Sequence, residues 1–146
     1  NHGFMPIVVK VVEQEEYNQW VNEKKQVAIQ MAELTTKDWT AQELVERGES
    51  IYAINCVACH QTNGQGIPGI FPALAGSDIV MNDKDKNIEI LMEGVQGAAM
   101  NSFSYLSEVE LAAVITYTRQ SWGNAENGDG EIVVPKDIVD YKKPKI

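Results

Sequence analysis

The run best equipped for chemistry is Cys56-Val57-Ala58-Cys59-His60. Two thiols at this spacing can form a redox pair, half of a zinc site or the anchor of a covalent haem c. A closed zinc site needs two further ligands. The chain has no other cysteine, and its only histidines are His2 and His60. A thioredoxin-like pair is expected in a strand–helix setting. Here the pair follows a helical stretch and precedes one rich in Gly and Pro. The adjacent histidine favours haem. Each thiol adds to one vinyl group, and the next residue's imidazole reaches the iron from the same turn. Cys56 and Cys59 are the candidate attachment residues and His60 the candidate axial ligand.

A thioether as sixth ligand raises the potential and suits electron transfer. The methionines are Met5, Met31, Met81, Met92 and Met100. Any single Met is by default apolar filler. Met92 sits in the amphipathic run Ile88-Glu89-Ile90-Leu91-Met92 and reads as core. Met81 precedes the polar Asn82-Asp83. Met100 lies in the small-residue loop Gly97-Ala98-Ala99-Met100-Asn101-Ser102-Phe103, which can press flat against a haem face. Met100 is the candidate, with Met92 and Met81 as alternatives.

These residues need elements to hold them. Thr40 with Glu43 forms a capping-box pattern before a helix expected to run to about Asn55. Leu44, Val45, Gly48, Ile51 and Tyr52 share one face of it. A mid-helix glycine costs about 1 kcal/mol against Ala, so Gly48 predicts close approach by another helix. Ser107 with Glu110 opens a last helix, whose Leu111, Val114, Ile115, Thr118 and Trp122 should be buried, and Gly123 should stop it. Val114 and Tyr117 are placed to cross at Gly48. A short third helix is expected from Asn87 to Met92, ending at Gly94. Phe71, Phe103, Tyr105, Tyr117 and Trp122 read as pocket walls and helix packing.

Outside this core, Ile7-Val8-Val9-Lys10-Val11-Val12 reads as a strand. Residues 13–34 read as helical, in one piece or two. Residues 35–40 form a linker, 41–123 the compact domain, and 124–146, with Asn127-Gly128-Asp129-Gly130 and two prolines, an extended tail. The sequence begins at Asn1 with an apolar stretch under way and is expected to be a piece of something longer.

Composition excludes several classes. The 146 residues include 12 Lys+Arg and 21 Asp+Glu, a formal charge of −9. That balance opposes binding to nucleic acid or to anionic lipid. No apolar run reaches membrane-span length. From Thr40 to Gly123 there are ten Asp/Glu against four Lys/Arg, a local −6. This surplus reads either as solubility or as a docking face for a basic electron donor.

Residues 41–123 resemble class I cytochromes c. The resemblance rests on the helix carrying Gly48 and Tyr52, on Cys56-Val57-Ala58-Cys59-His60, and on Asn63-Gly64-Gln65-Gly66. It continues through Phe71-Pro72-Ala73-Leu74, Gly97-Ala98-Ala99-Met100 and the final aromatic helix. It implies an all-α fold around covalent haem c, with the Pro72 carbonyl orienting the proximal His60. It also implies that the distal ligand follows the attachment motif, and Asn101 stands where that family usually has a proline.

The first twelve residues resemble a different family. Asn1-His2-Gly3-Phe4-Met5-Pro6-Ile7-Val8-Val9 is similar to the segment after the copper-binding cysteines in subunit II of haem–copper cytochrome c oxidases. That resemblance implies copper A ligation by His2 and Met5, only in an intact subunit with the bridging cysteines upstream. Tyr17-Asn18-Gln19-Trp20-Val21 is similar to the helix that follows. A copper A domain followed by a cytochrome domain is the order of the caa-type oxidases. The remnant strand and helix would then close a cupredoxin-like domain. The expected function is one-electron transfer from a donor cytochrome or similar carrier to copper A, alongside the other oxidase subunits. Thioether formation sets the expected location on the periplasmic or outer face of the bacterial membrane. A diffusible cytochrome c and a haem sensor or peroxidase-like module remain the other readings.

Overall fold

The structure, a computed structural model, describes residues 8–142. The chain divides into two compact units between Leu34 and Thr35. His2 and Met5 lie outside the described residues.

The first unit is dominated by α1 (Gln14–Thr36), one continuous helix with Glu15 and Glu16 in its first turn. Carboxylates there oppose the positive end of the helix dipole. Helix α1 buries no residue, and Tyr17 and Trp20 stack on its surface with ring centroids 6.0 Å apart. The sequence predicted a strand over Ile7–Val12, but residues 8–12 are irregular, and Val8, Val9 and Val11 are exposed. β-Branched residues favour a pleated surface only where a neighbouring strand completes the ladder. No β-strand occurs among the described residues, and Ile67 and Phe71 form an isolated bridge.

The second unit is helical. Helix α2 (Ala41–Asn55) begins at the capping box of Thr40 and Glu43, with both reciprocal hydrogen bonds formed. A single turn, α3 (Val57–His60), follows. Helices α4 (Asp78–Asn82) and α5 (Lys84–Glu93) come next, and α5 stops at Gly94. Helix α6 (Glu108–Gln120) opens on the capping box of Ser107 and Glu110. Helices α7 (Asn124–Asn127) and α8 (Pro135–Lys142) complete the unit.

Helices α2 and α6 cross at Gly48. A Cβ there would stand 2.1 Å from the Ala113 carbonyl oxygen and 2.6 Å from the Tyr117 Cβ. The missing side chain is therefore the condition of the contact. Tyr52, Leu111, Ala112, Val114 and Ile115 build the core around it.

Residues 124–142 are not the extended tail that Asn127-Gly128-Asp129-Gly130 and the prolines suggested. Pro135 is the first residue of α8, a position where its missing N–H costs nothing. Val133 and Ile138 are fully buried in the core cluster. The Thr116 hydroxyl donates to the Val133 carbonyl at 2.8 Å and accepts from its N–H at 2.9 Å. Arg119 is buried and anchors the segment. Its guanidinium donates to the carbonyls of Glu131 at 2.9 Å and Val80 at 2.7 Å, and pairs with Asp129. This return path covers faces of α6 beyond the predicted stripe, including Ala112 and Thr116.

Candidate functional site

Cys56 caps the C-terminus of α2, its N–H donating to the Tyr52 carbonyl. The chain then turns once more, so that the N–H groups of Cys59 and His60 both bond the Cys56 carbonyl, at 3.1 and 2.9 Å. This turn gathers Cys56, Cys59 and His60 on one wall of an apolar cavity of about 280 Å³. Both cysteines are half-buried, and no disulfide joins them. Burial, with Cys59 a lesser influence, pushes the Cys56 thiol up to about 11.

His60 is buried, and its Nδ1 lies 3.0 Å from the Pro72 carbonyl oxygen. A carbonyl can only accept, so Nδ1 carries the proton and Nε2 keeps its lone pair for a metal. The loop that presents Pro72 depends on Gly66, whose φ is +63°. A Cβ there would stand 2.5 Å from the same Pro72 oxygen. The Gly66 N–H bonds the His60 carbonyl at 3.0 Å. Farther along, the Leu74 N–H bonds the Gly64 carbonyl at 2.7 Å. The Tyr52 hydroxyl donates to the Gln61 carbonyl at 2.6 Å and so ties the loop to α2. Sequence reasoning did not find this bond, because a tyrosine on a helix face reads as packing.

Met100 lies on the cavity wall, whereas Met81 and Met92 do not. Met92 packs against the core, and Met81 meets the C-terminal segment through a 3.2 Å bond from the Asp129 N–H to its carbonyl. The Met100 loop is held by the Val95 N–H on the Met100 carbonyl at 2.9 Å and by the Phe103 N–H on the Leu91 carbonyl at 2.8 Å. Phe71 and Phe103 line the cavity as expected. Tyr105, Tyr117 and Trp122 do not. Tyr117 and Trp122 cluster with Tyr52 instead, at centroid distances of 5.2 to 5.7 Å.

The donor set fits a covalently held haem. Two thiols and an imidazole whose tautomer is fixed meet in an apolar cavity that carries no Asp, Glu, Lys or Arg. A family model described as "Cytochrome C oxidase, cbb3-type, subunit III" matches residues 43–117. The chain belongs to this family of cytochrome c domains. One covalent haem c is held by Cys56 and Cys59, with His60 in the same motif, and the role of this cytochrome c domain is electron transfer.

Among its relatives, cytochrome c-552 of Thermus thermophilus is 39% identical over 97 residues, covering 57% of this cytochrome and 73% of the relative. The cytochrome c subunit of alcohol dehydrogenase (quinone) from Gluconobacter oxydans is 32% identical over 92 residues. The cytochrome c subunit of gluconate 2-dehydrogenase from Pantoea cypripedii is 31% identical over 110 residues. The aligned parts cover 19% and 24% of those two subunits. No helix among the described residues is long and apolar enough to cross a membrane.

Proposed function

We propose that this cytochrome is the haem c domain of a caa-type oxidase subunit II, passing electrons from a donor protein to the copper A centre of the same subunit. The observation that carries this reading is the pairing of Asn1-His2-Gly3-Phe4-Met5-Pro6 with a cytochrome domain in one chain. The division of the chain into two compact units, which falls in the last turn of α1, supports a separate unit ahead of the haem domain. In the intact subunit His2 and Met5 would bind copper A, together with bridging thiolates supplied upstream. The domain then works on the periplasmic or outer face of the membrane, among the other oxidase subunits.

The haem supplies a one-electron iron couple. The chain fixes the imidazole through Pro72, excludes charge from the cavity, and offers Met100 as the distal ligand. Met100 is favoured because it shares the cavity with His60 while Met81 and Met92 lie outside it. A thioether there keeps both redox states six-coordinate, so little rearranges on electron transfer. The second reading, a self-standing carrier, draws on the 73% coverage of cytochrome c-552.

The upstream coding sequence separates the two. A pair of cysteines shortly before His2 supports the subunit II reading, and its absence from the native gene refutes it. Deleting residues 1–34 should leave the haem spectrum and thermal stability unchanged. Loss of the distal ligand on that deletion would make the segment part of the haem fold.

A further inference from the structure

Residues 94–107, the stretch that carries Met100, have little of their own to stiffen them. They include no proline to fix a backbone angle and no Asp, Glu, Lys or Arg to anchor a side chain. Residues 95–99 are exposed. What holds the stretch is the last turn of α5. The Ser102 hydroxyl donates to the Met92 carbonyl at 2.6 Å, and the Phe103 N–H to the Leu91 carbonyl at 2.8 Å. The backbone of 100–102 closes on Gly94 so tightly that a Cβ there would stand 2.8 Å from the Met100 carbonyl oxygen. Met100 therefore moves with the end of α5. His60 belongs to the turn that follows α2, and α2 is fixed on α6 by the crossing at Gly48. The placement of Met100 relative to His60 thus depends on how the end of α5 is held against α6.

The last turn of α8 makes that join. The Tyr141 hydroxyl donates to the Glu93 carboxylate at 2.5 Å, and the neighbouring Lys142 ammonium donates to the Glu108 carboxylate at 3.0 Å. Glu93 is the last residue of α5 and Glu108 the first of α6. Two consecutive side chains therefore grip the two residues that flank 94–107. The bond to Glu93 holds the Tyr141 hydroxyl up to about 12, so it stays a donor at ordinary pH. Helix α8 is itself firmly seated. Ile138 is fully buried in the core cluster that includes Ile88 of α5 and Leu111 of α6, and Asp137 lies 3.7 Å from Lys84, the first residue of α5. A loop whose ends are fixed together has fewer conformations open to it.

We propose that Tyr141 and Lys142 are positioning residues for Met100, clamping Glu93 and Glu108 across the base of its loop. The proposal rests on the reading of Met100 as the distal ligand. Its consequence is that the C-terminal helix sets how readily the sixth position opens.

The test uses the haem-loaded chain in its ferric state and cyanide, which binds the iron only when the sixth position is vacated. Tyr141→Phe combined with Lys142→Gln removes both bonds and leaves Ile138 in place. Measured well below the thermal transition, where global unfolding does not contribute, cyanide binding should quicken about three- to tenfold, the range expected for two exposed polar contacts together. Amide hydrogen exchange at Val95 and Phe103, whose N–H groups bond the Met100 and Leu91 carbonyls, should quicken with it. Lys142→Arg, which keeps the charge and the donor, should react at the parent rate. So should Lys136→Gln, which breaks the Lys136–Asp140 pair within α8. Parent-rate cyanide binding by the double variant overturns the proposal, and so does an equal acceleration in Lys136→Gln. Met100→Ala forms a separate arm and should bind cyanide faster than any of these. An unchanged rate there refutes the distal-ligand reading and the clamp with it, whereas fast binding there beside a parent-rate double variant refutes the clamp alone.

Discussion

Replacing Gly48 by Ala adds one methyl group at the crossing of α2 and α6. The added carbon would stand 2.1 Å from the Ala113 carbonyl oxygen, 2.6 Å from the Tyr117 Cβ and 2.7 Å from the Ala113 carbonyl carbon. All three belong to the backbone or the root of a side chain, so none can rotate aside. The helices must part by roughly 1 Å to restore ordinary contact, loosening Leu44 and Tyr52 against α6. Overpacking of this kind costs about 3 kcal/mol, at the upper end of its usual range. Alanine's better helix propensity returns about 1 kcal/mol, leaving a net loss of about 2 kcal/mol. For a unit of this size that lowers the midpoint of thermal unfolding by roughly 8–16 °C. Thermal melts of haem-loaded parent and variant, followed by haem absorbance and by far-ultraviolet circular dichroism, measure it. A variant as stable as the parent, or more so, would refute the close crossing, because propensity alone would then decide the sign.

Met100→Ala should open the distal position, so that the ferrous protein binds carbon monoxide and the potential falls; an unchanged spectrum, with the change appearing instead in Met92→Ala or Met81→Ala, would reassign the ligand. Asp129→Ala should cost about 2–3 kcal/mol in denaturant titrations, since it strips the acidic partner from buried Arg119 while Asp129 itself is part-exposed. The acid limb of stability tests the same pair. Burial would raise the Asp129 carboxyl, but the Glu131 N–H, the Arg119 guanidinium and Lys84 outweigh it and hold it below the usual value. With the folded value depressed, this contribution is present above the ordinary carboxylate range and is lost as pH falls through the folded value, and Asp129→Asn should flatten that fall. Ser107→Ala should cost about 1 kcal/mol by unmaking the α6 capping box. Copper added to this chain should give no dinuclear mixed-valence absorption, because both thiols are consumed by haem.

What the sequence made legible was local. The two capping boxes are written in residues three apart, and both form as read. Gly48 announced a crossing because only a close neighbour explains a bare position in a helix. The Pro72 carbonyl was foreseen through a family resemblance, and the structure adds that Gly66 makes room for it. What stayed hidden was long-range. Asp129 looked like turn chemistry, yet its carboxylate serves an arginine ten positions earlier in the chain. Val133 looked like part of an extended tail, yet it is held by the Thr116 hydroxyl seventeen positions earlier in the chain. The valines at 8–12 show the converse, strong local β-preference with no ladder to join.

The crossing at Gly48 also sets an order of events. It joins residue 48 to residues 113 and 117, while Cys56, Cys59 and His60 lie inside the loop that this contact closes. Val114 and Thr118 of α6 form part of the cavity wall. As the chain is made from its N-terminus, the attachment turn therefore emerges while one side of its pocket does not yet exist. Closing so long a loop is paid in chain entropy before its contacts return anything. A haem bonded to the two cysteines gives α6 and the segment behind it an apolar surface to condense on. Attachment and folding are in this sense one process, with the cofactor acting as the template on which the second half of the domain assembles.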